Sequence, residues 1–484
     1  MSEFIWDGKY DAAGRRRWVT PEAWAAPLAL TDCIPGSGEA GAGGPVGRLI
    51  LGDNRAVMSA LLDELRGRID LIYIDPPFNL GADVTMAVAA GARGAVEVPA
   101  YRDRWGRGAD SYEQMMFERL MLMRELLSPT GSIYVHCDRR VNAALRLILD
   151  EVFGPDRLCN EIIWHYQSGG RGRGRFSMKH DTLFWYARGD RWTFNLEAIG
   201  QARGPARRNH MRRQVGADGR TGFSIKSAGK VYTYYEDDLL TPADVWTDIS
   251  HIQQKDPQRC GYPTQKPEAL LERIIRACSN EGDLVADFFC GSGTTGVVAE
   301  RLGRRWLLCD QSPPAVLAAL KRLIQFRHDR GDSGAEVRAF EVYSTGDAGA
   351  DAGGELFAEA IRAEAGRFAV RLTGYKPNPA GWPSEARRRI RRRTASKQLD
   401  LIDYWAVDFD WRPDRPFRHT WQAVRAHGHG ELVMESAPAR AGKGRASGFI
   451  CVKALDPLGR ESRAVIPRPD SRSTDGSTRR TTTA

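Results

Sequence analysis

No apolar run in this chain approaches the roughly 20 residues that a bilayer-spanning helix needs, and the opening Met1-Ser-Glu-Phe-Ile-Trp-Asp-Gly-Lys lacks the charged and apolar regions of a signal peptide. A cytoplasmic protein with no membrane contact is expected. Its eight cysteines show no C-x-x-C pair and no regular spacing, which speaks against a zinc site and a disulfide framework and leaves reduced thiols, with no metal expected. Acidic residues are outnumbered, 61 against 70 Lys and Arg, giving a net charge of +9 and a pI near 9.2. That balance favours a polyanionic partner. With 484 residues, 42% of them hydrophobic, the chain can bury a sizeable core and form two or three domains.

The most informative stretch is Leu71-Ile72-Tyr73-Ile74-Asp75-Pro76-Pro77-Phe78. Its apolar run reads as a central parallel strand, and the two prolines forbid further ladder pairing, so the strand must end at Asp75. In open α/β sheets ligands sit beyond the carboxyl ends of the strands, where Asp75, the Pro76 carbonyl and the Phe78 ring project. This trio suits a planar amine: two acceptors for its hydrogens and a face to stack on. Alone, the string could also be a strand-ending turn.

A second stretch, Asp283-Leu-Val-Ala-Asp287-Phe288-Phe289-Cys290-Gly291-Ser292-Gly293-Thr294-Thr295-Gly296, reads as a strand, a glycine turn and a helix start. Backbone can approach a nucleotide-like ligand closely there. Asp310 ends the next apparent strand, Arg305-Trp-Leu-Leu-Cys-Asp310, at the separation suited to gripping ribose hydroxyls.

Together the two stretches resemble the DNA amino-methyltransferases that use S-adenosylmethionine, in the permuted arrangement where a D-P-P-aromatic motif precedes the F-x-G-x-G motif. Phe289-Cys290-Gly291-Ser292-Gly293 matches the latter at every defined position. The resemblance covers about Arg48 to Leu323. It implies a Rossmann-like α/β methyltransferase fold with an inserted target-recognition region, and catalytic roles for Asp75, Pro76, Pro77 and Phe78. It also implies that Gly291 and Gly293 approach the methionine portion of the cofactor, that Asp310 holds its ribose and that Asp287 faces its ammonium group. Asp53 would lie near the adenine, unless it only caps the following helix. The family's lysine-proline segment, which helps enclose the cofactor, corresponds to Thr264-Gln265-Lys266-Pro267. Two residues depart from the commonest pattern: Phe288 replaces a proline, and Phe78 replaces a tyrosine while keeping the stacking face.

Other elements follow in order. Residues 1–46 read as an irregular lead-in that packs on the domain or reaches along DNA. A strand at Arg48 to Asp53, a helix from Ala56 and a helix from Ser111 to Leu127, whose methionines suit a core, belong to a catalytic half at 47–166. His136, at the end of the strand Ser132 to Asp138, reads as a hydrogen-bonded core histidine, and Cys137 needs no nucleophilic role because methylation of an amine is a direct displacement. Residues 167–262 form the target-recognition region. Between Gly169 and Lys230 it holds fourteen Lys and Arg against four Asp and Glu, interleaved with aromatics. That is the footprint of phosphate contact, with Arg171, Arg173, Arg175, Lys179, Arg207, Arg208, Arg212 and Arg213 as the expected DNA-binding residues. A cofactor-binding half at 263–330 precedes a linker with the basic cluster Arg387 to Arg393 at 331–398, a β-rich accessory domain at 399–467 and a disordered tail at 468–484.

The family's sheet is expected to run from the glycine-rich strand through the strands of Asp310, Asp53, Asp75 and His136, both half-sites facing one crevice. The implied reaction is methyl transfer to the N6 amine of an adenine flipped out of double-stranded DNA. Relatives with Asp first in the motif usually modify adenine and those with Ser cytosine N4. Cytosine N4 stays open as the alternative, as do a homodimer, a restriction nuclease partner and a modification subunit active only beside that nuclease.

Overall fold

Along the strand that ends in D-P-P-F, side chains alternate between two apolar clusters: Leu71 and Tyr73 enter one, Ile72 and Ile74 the other. Both faces of this strand are therefore covered, as its uninterrupted apolar run requires. The computed structural model describes residues 3–36, 45–89, 95–107, 111–167, 172–203, 211–216, 218–346, 353–364, 367–391, 395–425, 430–440 and 448–469.

Eleven strands form the central sheet: β1 (Leu28–Ile34), β2 (Gly47–Leu51), β3 (Ile69–Ile74), β4 (Leu127–Cys137), β5 (Leu158–His165), β6 (His180–Ala187), β7 (Val245–Trp246), β8 (Leu284–Asp287), β9 (Arg305–Asp310), β10 (Phe340–Thr345) and β11 (Phe417–Arg418). Their spatial order is β7-β5-β6-β4-β3-β8-β9-β2-β10-β1-β11. The run from β4 to β10 is parallel, whereas β6 is antiparallel to both β4 and β5. Helices α1 (Asn54–Leu65), α2 (Tyr112–Leu126) and α3 (Asn142–Phe153) cover the Ile72 face, with Val57, Met116 and Leu145 among the residues they bury. On the Tyr73 face lie α4 (Glu268–Cys278), α5 (Thr294–Arg301) and α6 (Pro313–Asp332), through Leu270, Val298 and Leu320. This is an α/β doubly wound sheet of the Rossmann-like methyltransferase kind.

The strand order corrects the expectation in one respect. The glycine-rich strand β8 lies at the centre, between the Asp75 strand β3 and the Asp310 strand β9, and the Asp53 strand β2 lies beyond β9. The sequence reading laid the strands out in motif order. The physical layout instead puts the two ligand-bearing strands side by side, so that Asp75 and Asp287 emerge from adjacent strands at one edge.

Segment boundaries differ as well. The lead-in at 1–46 contributes β1 and buries Trp6, whose indole N–H donates to Gln114 Oε1 at 2.9 Å; Gly38 and the Gly41 to Gly44 run lie outside the described residues. Within 167–262, β6 is a full member of the sheet because Leu183, Phe184, Trp185 and Tyr186 are all buried, two on each face. Only Arg212–Val215, Thr221–Ser227 and Lys230–Tyr235 form a separate three-stranded antiparallel sheet. The stretch at 331–398 is no simple linker: β10 lies inside the central sheet between β2 and β1, and Gly354–Arg362 pairs with Arg367–Pro377 as a hairpin.

That hairpin shares one apolar cluster with the strands Tyr404–Asp408 and Phe449–Leu455, through Phe368, Val370, Trp405, Val407, Ile450 and Val452. The β-rich unit therefore begins near residue 353 rather than 399. Its basic cluster starts on helix α7 (Ser384–Arg391), which buries Ala386 and Ile390 and leaves Arg387 and Arg388 in solvent; Arg392 and Arg393 lie outside the described residues. Most of the tail at 468–484 also lies outside them.

The seam between this unit and the catalytic domain is apolar, with Tyr404, Ala406 and Cys451 in the cluster that holds Leu320, and it also carries a buried ionic group. Asp32, on β1, is buried against Lys453 (Nζ to Oδ1 2.6 Å) and His419 (Nε2 to Oδ1 2.8 Å), and Lys453 also meets Glu461 at 2.7 Å. Burial opposes the Asp32 charge, but Lys453 and His419 outweigh it and hold the carboxyl well below its usual range.

Candidate active site

Strands β8 and β9 end in acids and β3 is followed at once by Asp75, and all three carboxylates line one cavity beyond the carboxyl edge of the sheet. Asp75, Pro76, Pro77, Phe78, Lys266, Asp287, Phe289, Gly291 and Asp310 are among its walls. The two sequence motifs thus face one crevice.

At the Asp75 end, Lys266 Nζ donates to Asp75 Oδ2, and Asp75 Oδ1 is buried with no hydrogen-bond partner among the described residues. A buried acceptor left open in this way costs free energy unless a ligand satisfies it. Thr264 aims the lysine: it holds φ +58°, which a β-branched residue adopts only under strain, and its carbonyl accepts from Lys266 Nζ at 3.3 Å. Lys266, expected beside the cofactor, therefore reaches the Asp75 carboxylate and sits 5.6 Å from the centre of the Phe78 ring.

The Phe78 ring also meets His136, with ring centroids 6.2 Å apart and planes 29° from parallel. His136 is buried and satisfied at both nitrogens, by the Tyr73 hydroxyl at 3.0 Å and by Asp181 Oδ2 at 3.1 Å. Asp181 also accepts from the Tyr166 hydroxyl at 3.0 Å. Burial works against the Asp181 charge, yet His136, Lys266 and Tyr166 together keep its pKa below the ordinary carboxylate value.

At the glycine end, Asp310 accepts backbone N–H bonds from Gly291 and Ser312, each at 2.9 Å. Asp287 accepts from Phe289 N–H at 3.0 Å and from the Thr295 hydroxyl at 2.6 Å. Burial raises Asp287 to about 7 and Asp310 to about 6 despite these bonds. Gly291, at φ +48°, borders the cavity under Tyr262, whose ring would lie 3.1 Å from an added Cβ. Gly293, at φ +73°, faces away: an added Cβ would stand 2.7 Å from the Ala319 Cβ on α6. Its role is helix packing.

Asp53 caps α1 by accepting from Arg55 N–H at 2.8 Å and pairs with Arg119 at 3.0 Å. Its neighbours line the cavity in its place. Asn54 donates to the Phe288 carbonyl at 2.7 Å and accepts from Arg119 Nε at 2.5 Å. Sequence reasoning missed Asn54 and Arg119, and also Tyr101 and Trp105 from the hairpin arm Val84–Tyr101 and its continuation, which carry no motif. Met115, expected in the core, also borders the cavity. Of the expected DNA-binding residues, Arg173, Arg175, Arg212 and Arg213 are exposed and Lys179 is half-buried, donating to the Gln167 carbonyl at 2.8 Å. Arg171, Arg207 and Arg208 lie outside the described residues.

A family model described as DNA methylase (N6_N4_Mtase) matches residues 69–321, just over half of the chain. The chain belongs to this family and is a DNA methyltransferase. It is 31% identical over 283 residues to the Type II methyltransferase M.HpaI of Haemophilus parainfluenzae, covering 56% of this chain and 74% of that protein. To the Type II methyltransferase M.EcaI of Enterobacter cloacae it is 28% identical over 329 residues, covering 58% and 70%. Among solved structures, the M1.HpyAVI–SAM complex aligns at 18% identity with a TM-score of 0.36, over 57% of this chain and 98% of that one. No helix among the described residues is long and apolar enough to cross a membrane.

The methyl donor of this family is S-adenosylmethionine. The cavity suits it. Two buried carboxylates with raised pKa values, Asp287 and Asp310, match a cationic amino-acid end and ribose hydroxyls, and the Gly291 turn brings backbone without a side chain to the cavity.

Proposed function

We propose that this chain methylates the N6 amine of an adenine flipped out of duplex DNA. The observation that carries the reading is the open oxygen of Asp75, buried beside the Phe78 ring in the cavity that also holds the glycine turn and Asp310. An exocyclic amine is a poor nucleophile because its lone pair is delocalised into the ring. Asp75 Oδ1 and the Pro76 carbonyl, each accepting one N–H, draw that lone pair out of the ring and aim it across the cavity. Lys266 holds the second carboxylate oxygen, so the first keeps its orientation while it waits for the amine.

Phe78, backed by His136, offers a flat face to a base that has left its stack. When bound, S-adenosylmethionine supplies an electrophilic methyl group; Gly291, Phe289, Asp287, Asp310 and, at a distance, Asp53 are the residues assigned to it. After displacement the methylated amine carries an extra proton, which Asp75 is placed to accept. The exposed basic residues Arg173, Arg175, Arg212 and Arg213 are assigned to phosphate contact.

Adenine is preferred over cytosine N4 because the motif begins with Asp rather than Ser. The test is transfer of labelled methyl to mixed-sequence duplex DNA, with the nucleoside identified by mass and Asp75→Ala as control. N6-methyladenine that disappears in the control is the expected result. N4-methylcytosine would reassign the base and keep the mechanism, whereas no transfer at all would sink the reading for the chain acting alone.

A further inference from the structure

Strands β5 and β6 pair as far as His165 opposite His180, and the Tyr166 N–H still donates to the Lys179 carbonyl at 2.9 Å. The loop between them therefore springs from residues packed behind the Phe78 ring: Tyr166 donates to Asp181, Asp181 pairs with His136, and His136 stacks on Phe78. At its tip, Gly172 N–H donates to Ser177 Oγ at 3.1 Å, closing a turn that leaves Arg173, Arg175 and Phe176 in solvent. Phe176 is 99% exposed, the most exposed of the large apolar side chains among the described residues.

A single exposed phenylalanine needs no explanation on an ordinary surface. Here it follows two exposed arginines, Arg173 and Arg175, on the loop that leaves from behind the Phe78 wall of the cavity. The arginines are complementary to backbone phosphates. A base moved into the cavity leaves a gap in the stack, lined above and below by aromatic faces. An unattached, flat, apolar ring presented next to exposed arginines suited to phosphate contact matches that gap.

Resting on the base-flipping reading above, we propose that Phe176 is a positioning residue that enters the duplex and fills the space vacated by the target base. It touches neither the reacting amine nor the cofactor. It acts by holding the base out of the helix, so its contribution depends on the base having been stacked to begin with.

The test uses the full chain and two duplexes built around a site first mapped by sequencing DNA methylated by the unaltered enzyme. In one duplex the target base is correctly paired; in the other it faces an abasic position and is already loosened. Phe176→Ala is expected to slow single-turnover methylation of the paired duplex roughly 10- to 100-fold, the scale of a lost stacking step, and to approach the unaltered enzyme on the loosened one. Phe176→Trp should retain most activity on both, and 2-aminopurine at the target position should brighten less with the alanine variant.

Equal loss on both duplexes would make Phe176 an ordinary binding contact, and no loss on either would leave it to some other partner; each overturns the wedge while methylation by the unaltered enzyme keeps the base-flipping reading. If the unaltered enzyme methylates no duplex, the function itself fails and the wedge falls with it. Because Phe176 is fully exposed, an unchanged melting temperature checks that the variant is folded.

Discussion

Two aspartate–lysine pairs among the described residues are built differently. In the seam between the catalytic domain and the β-rich unit, one oxygen of Asp32 receives both Lys453 and His419, and Lys453 is shared with Glu461. Every charge there is answered by protein. In the crevice, Lys266 takes one oxygen of Asp75 and leaves the other buried and open. The first arrangement fixes two parts of the chain against each other. The second reserves an acceptor for something that arrives later, and it stores the cost of an unmade hydrogen bond until then.

The largest expected effect comes from breaking the second pair. Asp75→Ala should lower single-turnover methylation by at least ~10²–10³-fold, the scale of losing a preorganised electrostatic contact to the reacting group. Unfolding in urea should change little, since the carboxylate is only partly satisfied in the free protein. A large drop in stability with modest loss of rate would erase the distinction between the two pairs.

Asp32→Ala is the mirror experiment. It leaves Lys453 and His419 facing a buried gap, so a loss of ~3–5 kcal/mol is expected, read as a shift in the urea midpoint. The rate per folded molecule should be nearly unchanged because Asp32 is remote from the cavity. Loss of rate at full folding would mean that the seam positions the crevice, and the two regions would have to be treated as one device.

How far these pairs could be read from the sequence differs in the same way. The Asp75 side was legible because its chemistry sits on a contiguous string: an apolar strand, an acid and two prolines that fix where the strand stops. The acid at Asp287, the glycine turn and Asp310 were legible for the same reason. Lys266 appeared only as a member of a short segment, and its contact with Asp75 spans 191 positions, which no local pattern encodes. Asp32 to Lys453 spans 421. Asn54 and Arg119 were hidden because each looks like an ordinary helix residue until the sheet brings them to Phe288 and Asp53. The hairpin at 354–377 was missed because its alternation follows a glycine-rich run that reads as linker, although Phe368, Val370 and Leu372 bury into the same core as Trp405. The expected strand order fails because the order in which a family's motifs are counted says nothing about which strands lie side by side.

A third experiment compares Asp75 with the acid on the neighbouring strand. Burial raises Asp287 to about 7, above its unfolded value near 3.8, so the native state holds a proton that the unfolded chain has released between those limits. Its contribution to stability is therefore full below pH ~4 and is lost as pH rises through ~7. Asp310, raised to about 6, acts in the same direction. Asp287→Asn keeps the acceptor for Phe289 N–H and removes the titration, so the fall in stability between pH 5 and pH 8 should flatten by roughly 1–3 kcal/mol. Denaturation series of both proteins at the two pH values measure it. An unchanged slope would mean that Asp287 is hydrated enough to ionise freely.

The smallest effect separates two glycines of one motif. Both take positive φ, so alanine at either costs ~1–2 kcal/mol for the left-handed backbone. At Gly293 the new methyl would also stand 2.7 Å from Ala319 Cβ, between a helix start and α6, where neither backbone can retreat cheaply. At Gly291 the neighbour is the edge of the Tyr262 ring at 3.1 Å, and a few tenths of an ångström of ring movement relieve it. Gly293→Ala should therefore be less stable than Gly291→Ala by about 1–2 kcal/mol of overpacking. Binding of S-adenosylmethionine, followed by calorimetry on folded protein, should reverse the order, because only Gly291 borders the cavity. If both variants bind equally weakly, the second glycine also lies close to the ligand, and the motif has to be read as a single cradle rather than as one contact and one hinge for packing.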